Sequence, residues 1–362
     1  MNCGYCFYLP KSQMFPESNK RMSNDVLEAM ISQAMNQPVE HISFGWQGGE
    51  PTLMGIPFFQ KAMGLMERYG HGQMVANGLQ TNGSLIDKNW AAIFRQYHFL
   101  VGISVDGPQH VHDHYRKTRG GIGSWRNAID AIHLLQDKDV MVNVLTVVND
   151  HSVQYPEEIY TFHKSQGFQY MQFIPCVEND THDPSRTAPF SVSAQDYGRF
   201  LCRLFELWAA DFKDGLPTTS IRFFDALLLK RAGYPPGECT LLETCGNYLL
   251  VEHNGDVFSC DFFVEEEGRL GNLMETSLVS LFNSREHVRF GQQKANLPQD
   301  CLDCEWLDLC RGGCPKDRVR NPASKGLNHF CESFRLFFTY ADSRINELVG
   351  EWKRRTTEVR SY

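Results

Sequence analysis

The sequence predicts an α/β protein in which parallel strands joined by crossover helices precede a loop-rich, cysteine-dense region. Through roughly the first 180 residues, short apolar runs alternate with amphipathic segments, the order that builds one parallel sheet. From Cys239 onward, turn residues and cysteines replace that rhythm. A chain of 362 residues is also long enough for one large core and a smaller second domain.

The elements follow in order. The strands expected are His41–Trp46, Met74–Leu79, Leu100–Val105, Met141–Val148 and Tyr170–Pro175, each a short apolar run bounded by turn residues. Helical spacing places the intervening helices near Phe58–Tyr69, Asn89–Tyr97, Trp125–Gln136 and Glu157–Ser165. Asp87 and Ser124 stand where N-cap side chains belong. Glu178–Pro189 is polar and carries proline, so it reads as a linker. A long helical pattern follows at Ala194–Phe212.

Composition narrows the function. Hydrophobic residues make up 42% of the chain, ordinary for a globular protein. No apolar run approaches the ~18 residues a transmembrane helix needs, so no membrane partner is expected. The formal charge of −8 argues against a nucleic-acid partner, which requires a basic face. Twelve cysteines admit disulfides outside the cell or metal ligands inside it. Their position favours metal and a reducing cytoplasm: two open the chain and eight of the other ten fall between 239 and 331.

Three motifs carry chemistry. Cys3-Gly4-Tyr5-Cys6 fits a zinc knuckle, a redox pair or cluster ligands. Trp46-Gln47-Gly48-Gly49-Glu50-Pro51 is either a plain β–α turn or an edge that a ligand can approach, since glycine leaves backbone uncovered. Cys239, Cys245, Cys260, Cys301, Cys304, Cys310, Cys314 and Cys331 supply eight thiols, the number needed by two 4Fe–4S clusters or by two four-cysteine zinc sites. His110, His112 and His114 read as a solvated loop, and Gly120-Gly121-Ile122-Gly123 as a flexible entry to the next helix. Cys176 and Cys202 read as packed, inert thiols.

The opening cysteines, with Phe7 after the second, resemble the cluster loop of the radical S-adenosylmethionine superfamily, Cys-x-x-x-Cys-x-x-Cys. The first cysteine of that pattern would stand two positions before Met1, so the resemblance implies that the natural chain starts further upstream. As written, the chain is expected to lack one cluster ligand and the first barrel strand. Gly48-Gly49-Glu50-Pro51 matches the superfamily's second motif. By the same resemblance Tyr5, Gly48, Gly49, Glu50, Ser104, Arg116 and Val177 would contact S-adenosylmethionine, Arg116 through its fork of donors.

The later cysteines fall as Cys245-x9-Gly255-x4-Cys260 and Cys301-x2-Cys304-x5-Cys310-x3-Cys314-x16-Cys331, which resembles the SPASM extension and favours iron–sulfur over zinc. It implies that Cys239, Cys245, Cys260 and Cys314 hold one cluster, and Cys301, Cys304, Cys310 and Cys331 the other. Gly255–Val264, Leu270–Leu273, Trp46–Leu53 and Gln80-Thr81-Asn82-Gly83 resemble the anaerobic sulfatase-maturating enzymes, and the likeness runs from Cys3 to about Cys331.

That resemblance implies a partial (β/α)6 barrel over residues 1–180, linking helices over 181–238, a SPASM domain over 239–331 and a C-terminal helix over 332–362. It implies S-adenosyl-L-methionine and three 4Fe–4S clusters as cofactors, the first compromised in the chain as written. The implied reaction oxidises a cysteine or serine of an unfolded or nascent sulfatase to Cα-formylglycine, with Asp261 as general base and a reductant such as flavodoxin or ferredoxin. Gln47 and Tyr8 would line the substrate cleft. Two alternatives differ in class: another SPASM enzyme that crosslinks peptides through thioether or carbon–carbon bonds, and a zinc-holding protein-binding scaffold.

Overall fold

In the computed structural model, which describes residues 1–11, 14–15, 20–320 and 326–359, six strands form one sheet. They are β1 (His41–Trp46), β2 (Met74–Thr81), β3 (Leu100–Ser104), β4 (Met141–Val148), β5 (Tyr170–Pro175) and β6 (Ser220–Ile221). Neighbours in the sheet are neighbours in the chain, and every pair is parallel. Such an order carries every crossover the same way round and curves the sheet toward a barrel. All C-terminal strand ends then open on one rim, the side where α/β folds of this kind bind ligands.

The longer helices are α1 (Asn24–Met35), α2 (Ile56–Tyr69), α3 (Lys88–Gln96), α4 (Gln109–Tyr115), α5 (Trp125–Gln136), α6 (Pro156–Ser165), α7 (Ala194–Ala210), α8 (Arg222–Arg231), α9 (Arg285–Gln293) and α10 (Cys331–Val359). Asp87 caps α3 as expected, accepting from Asn89 N and Trp90 N at 2.9 Å each. Phe59 of α2, Trp90 and Phe94 of α3, and Phe99 meet in one aromatic cluster under the sheet. Burying each such ring contributes about 1.5–3 kcal/mol. On the far side α7 lies against α10 so closely that a Cβ on Gly198 would stand 3.0 Å from Ser333 Cα. Trp208, Phe224 and Phe337 complete that packing within the same continuous core as the sheet.

The cysteine-rich part is built on a small antiparallel sheet of β7 (Leu250–Val251), β8 (Asp256–Phe258) and β9 (Arg269–Asn272), in the order β9-β8-β7. Between Cys310 and Cys314 the chain takes three consecutive left-handed residues, Arg311, Gly312 and Gly313, with φ of 47°, 69° and 63°. Two glycines there remove the Cβ penalty that such a run otherwise carries. Among the described residues no helix is long and apolar enough to cross a membrane.

Three expectations change. The His110–His114 stretch is helix α4, not a solvated loop, and His112 is buried. Ser124 stands at the N-cap of α5 but makes no side-chain cap; its hydroxyl donates to Arg116 O at 2.9 Å and meets His112 Nε2 at 3.0 Å. The stretch Glu178–Pro189 folds back on itself through an Asn179–Thr187 bridge instead of running as a linker. Helix α1 and the two-residue β6 were not foreseen.

Candidate functional site

The rim of the sheet gathers the residues singled out in the first half of the chain. The Cys3–Cys6 loop lies against the end of α4, with Asn2 N donating to Lys117 O at 2.8 Å and Gly4 N to Tyr115 O at 3.2 Å. Tyr5 turns inward and its hydroxyl donates to Asp106. Asp106, 1% exposed, also accepts from Arg116 Nε at 3.0 Å and from Val147 N at 3.0 Å. One carboxylate thus joins the cysteine loop, the guanidinium and strand β4. Burial pushes the Cys3 thiol up, and the nearby Arg116 charge pulls it back down.

Arg116 is itself 7% exposed, its guanidinium 5.4 Å from the centre of the Tyr5 ring. His112 keeps this assembly in register. Its Nδ1 accepts from Asp106 N at 3.3 Å, so its Nε2 carries the proton toward Ser124. Burial lowers His112 to about 4 and holds it neutral for that role.

The glycine edge after β1 is fixed by Glu50. Its Oε1 accepts from Thr52 N at 3.2 Å and Thr81 Oγ1 at 2.7 Å, while Oε2 accepts from Asn82 N at 2.9 Å. Glu50 therefore faces the protein and positions Gly48 and Gly49. A Cβ added to either glycine meets no atom within 4 Å, so open space borders bare backbone there. Ser104 ends β3 with its hydroxyl accepting from Gln80 Nε2 at 3.1 Å. Buried Val177 follows β5, and its carbonyl accepts from Lys316 Nζ at 3.2 Å. Open space beside glycine, with a buried arginine at the same rim, suits a ligand carrying a carboxylate, as S-adenosylmethionine does.

All twelve cysteines are free thiols. Cys301, Cys304, Cys310 and Cys331 lie near enough to act on one another's charge, and burial lifts Cys310 to about 11. Cys239 faces Cys245, and Cys314 faces Cys260. Lys294, 0% exposed, sits against this second group: its Nζ donates to the carbonyls of Cys239 at 2.7 Å, Thr240 at 2.9 Å and Leu242, and faces the thiols of Cys239, Cys245 and Cys314. Arg318 faces Cys245, Cys301, Cys310 and Cys314. Burial raises the Cys239, Cys245 and Cys314 thiols and lowers Lys294 and Arg318, while attraction between sulfur and cation opposes those shifts. This donor set fits iron–sulfur clusters. Among the described residues no three His, Cys, Asp or Glu side chains converge as a single metal ion requires.

The two halves meet at Asp261, directly after Cys260. Its Oδ2 accepts from Gln47 Nε2 at 3.1 Å, and its Oδ1 from the Tyr248 hydroxyl at 2.9 Å. Gln47 Nε2 lies 3.3 Å from the Tyr8 hydroxyl. Lys11 donates to the Asp261 carbonyl, and the rings of Phe7 and Phe262 stand 5.0 Å apart. Asp106, Tyr248 and Lys294 had no role assigned from sequence, and His112 was placed in a solvated loop. Asp106 alone left a signal, an acid just past a strand end.

Profile comparison matches residues 1–163 to the radical SAM superfamily and residues 239–305 to SPASM, an iron–sulfur cluster-binding domain. The chain is a radical S-adenosylmethionine protein with a second, iron–sulfur region. A serine-type anaerobic sulfatase-maturating enzyme of Bacteroides thetaiotaomicron is 37% identical over 371 residues, covering 96% of this chain and 89% of that protein. A cysteine-type one of Clostridium novyi is 37% identical over 348 residues, covering 95% and 92%. The structure of native anSMEcpe with bound AdoMet and Kp18Cys peptide superposes with a TM-score of 0.88 at 34% identity, over 97% of this chain and 95% of that one. The chain belongs to the anaerobic sulfatase-maturating enzymes.

Proposed function

We propose that this protein oxidises a cysteine or serine in the active-site motif of an unfolded or nascent sulfatase to Cα-formylglycine. The observation that carries the reading is the placement of Asp261, beside a cluster-type cysteine yet held by Gln47 from the S-adenosylmethionine rim. S-adenosylmethionine bound on a reduced first cluster would supply a 5′-deoxyadenosyl radical able to take one hydrogen atom from Cβ of the target residue.

What remains is to remove a proton and an electron. The Asp261 carboxylate takes the proton from the thiol or hydroxyl as the carbon–heteroatom double bond forms. Gln47 and Tyr248 keep its two oxygens in a fixed plane, which a base acting on one defined proton needs. The electron would pass to the auxiliary cluster that Cys260 would help to hold. Arg116 reads the methionyl carboxylate, with Tyr5, Gly48, Gly49, Ser104 and Val177 bordering the same ligand and Glu50 positioning the edge. Cys3 and Cys6 belong to the first cluster. Cys239, Cys245, Cys260 and Cys314 hold a second, and Cys301, Cys304, Cys310 and Cys331 a third. A one-electron donor such as flavodoxin or ferredoxin serves the first cluster, in the cytoplasm.

The test is anaerobic incubation of reconstituted protein carrying a complete Cys-x-x-x-Cys-x-x-Cys loop with S-adenosylmethionine, a reductant and a peptide carrying a sulfatase active-site motif, read by mass spectrometry. Wild type forms the aldehyde. Asp261→Asn retains its iron and loses most of that conversion, and full turnover in the variant would remove Asp261 from the role of base.

A further inference from the structure

We infer that Tyr248 is a positioning residue for this reaction, a hydroxyl that sets the plane of the Asp261 carboxylate and rests on the sulfur of Cys260. The inference depends on Asp261 being the base. The Tyr248 hydroxyl oxygen lies 2.9 Å from Asp261 Oδ1 and 3.2 Å from Cys260 Sγ. The opposite carboxylate oxygen receives Gln47 at 3.1 Å. Each oxygen therefore has its own donor, one from the barrel and one from the cysteine-rich part. With only Gln47 in place, the carboxylate could swing about its Cα–Cβ and Cβ–Cγ bonds.

The fold builds this placement. Tyr248 ends a short loop that starts at Cys245, whose amide donates to Gly291 O at 3.1 Å. Gly246 takes a φ of +87°, a left-handed conformation favouring glycine. Buried His287 then ties this loop to the one before Asp261: its Nε2 meets Gly246 O at 2.9 Å and its Nδ1 meets Ser259 Oγ at 2.9 Å. One imidazole thus spaces the segment carrying Tyr248 from the segment carrying Cys260 and Asp261. Tyr248 remains exposed.

The consequence depends on what the base must deprotonate. A cysteine thiol has an ordinary pKa of about 8.5 and gives up its proton readily. A serine hydroxyl is far less acidic and depends more heavily on a well-aimed base. Displacing Asp261 should therefore hurt serine peptides more than cysteine peptides, which general loosening of the fold would not do.

The experiment compares Tyr248→Phe, Asp261→Asn and wild type, all reconstituted, on matched cysteine and serine peptides. The expected result for Tyr248→Phe is unchanged iron content and KM, a kcat on the serine peptide about tenfold lower, and a smaller loss on the cysteine peptide. Equal losses on both peptides, lost iron, or wild-type rates on both would overturn the inference if Asp261→Asn is inactive. If Asp261→Asn turns over fully, the base assignment fails instead.

Discussion

Replacing Asp106 by Asn tests whether the S-adenosylmethionine rim is held by one buried ion pair. The carboxylate is 1% exposed and Arg116 is 7% exposed, with Nε and Oδ2 3.0 Å apart. The variant keeps the shape and a hydrogen-bonding oxygen for Val147 N but leaves the Arg116 charge buried without its partner. Breaking a buried pair from one side costs about 3–5 kcal/mol. With about 2 cal/mol/K of unfolding entropy per residue over 362 residues, that is a midpoint drop of about 4–7 °C. The assay is thermal and urea unfolding of the two proteins, beside equilibrium binding of S-adenosylmethionine. Asp106→Asn should lose stability by this amount and bind the ligand weakly, since Tyr5 and Arg116 both lose their anchor. The double variant Asp106→Leu with Arg116→Met should recover much of the stability, because no buried charge remains, without recovering ligand binding. A single variant within about 1 kcal/mol of wild type would refute the reasoning and show that Arg116 draws its counter-charge from elsewhere.

Two further outcomes follow from buried charge. Lys294→Met removes a cation that faces Cys239, Cys245 and Cys314; the cluster held there should keep its iron and shift to a more negative potential, checked by a redox titration that an unmoved midpoint would contradict. Asp225 is raised to about 6 by burial, opposed by the Ser220 hydroxyl that donates to it at 2.5 Å. Between the ordinary value near 4 and this one, the folded state holds a proton that the unfolded chain lacks, so stability falls as pH rises through that window. Asp225→Asn should flatten the decline, worth at most about 3 kcal/mol, in urea titrations at pH 4 and pH 7.

The parallel strands were legible because their apolar runs end at turn residues. β1, β4 and β5 begin and end where the pattern places them. β2 extends past Leu79 because Gln80 and Thr81, though polar, pair with Gly102 and Ile103 of β3. Tertiary pairing, not hydrophobicity, decides such ends. β6 is two residues long and offers no period to read. In α4 the alternating histidines hide a helix whose inward face is Val111 and His112; a polar residue is buried there because it has partners on both ring nitrogens. The cysteines, by contrast, were visible from spacing and family resemblance. Their cations were not, since Lys294 lies far along the chain from Cys239 and no local pattern links them.

The same limit explains why the proposed base was readable while its setting was not. Asp261 follows a cysteine in a recognisable motif, so sequence proximity alone marks it. Its geometry depends on Gln47, more than two hundred residues earlier, and on Tyr248, which reaches it only because His287 spaces two loops. Phe7 meeting Phe262, and Lys11 meeting the Asp261 carbonyl, bring the first-cluster loop onto the same spot. Lys316 seals the opposite side, with its ammonium 3.2 Å from Val177 O and 5.0 Å from the Phe262 ring centre. Neither half alone encloses a place where hydrogen abstraction and proton removal act on one residue. The proposed chemistry requires both events within one side chain, which puts the proposed active site where the barrel rim meets the cysteine-rich part.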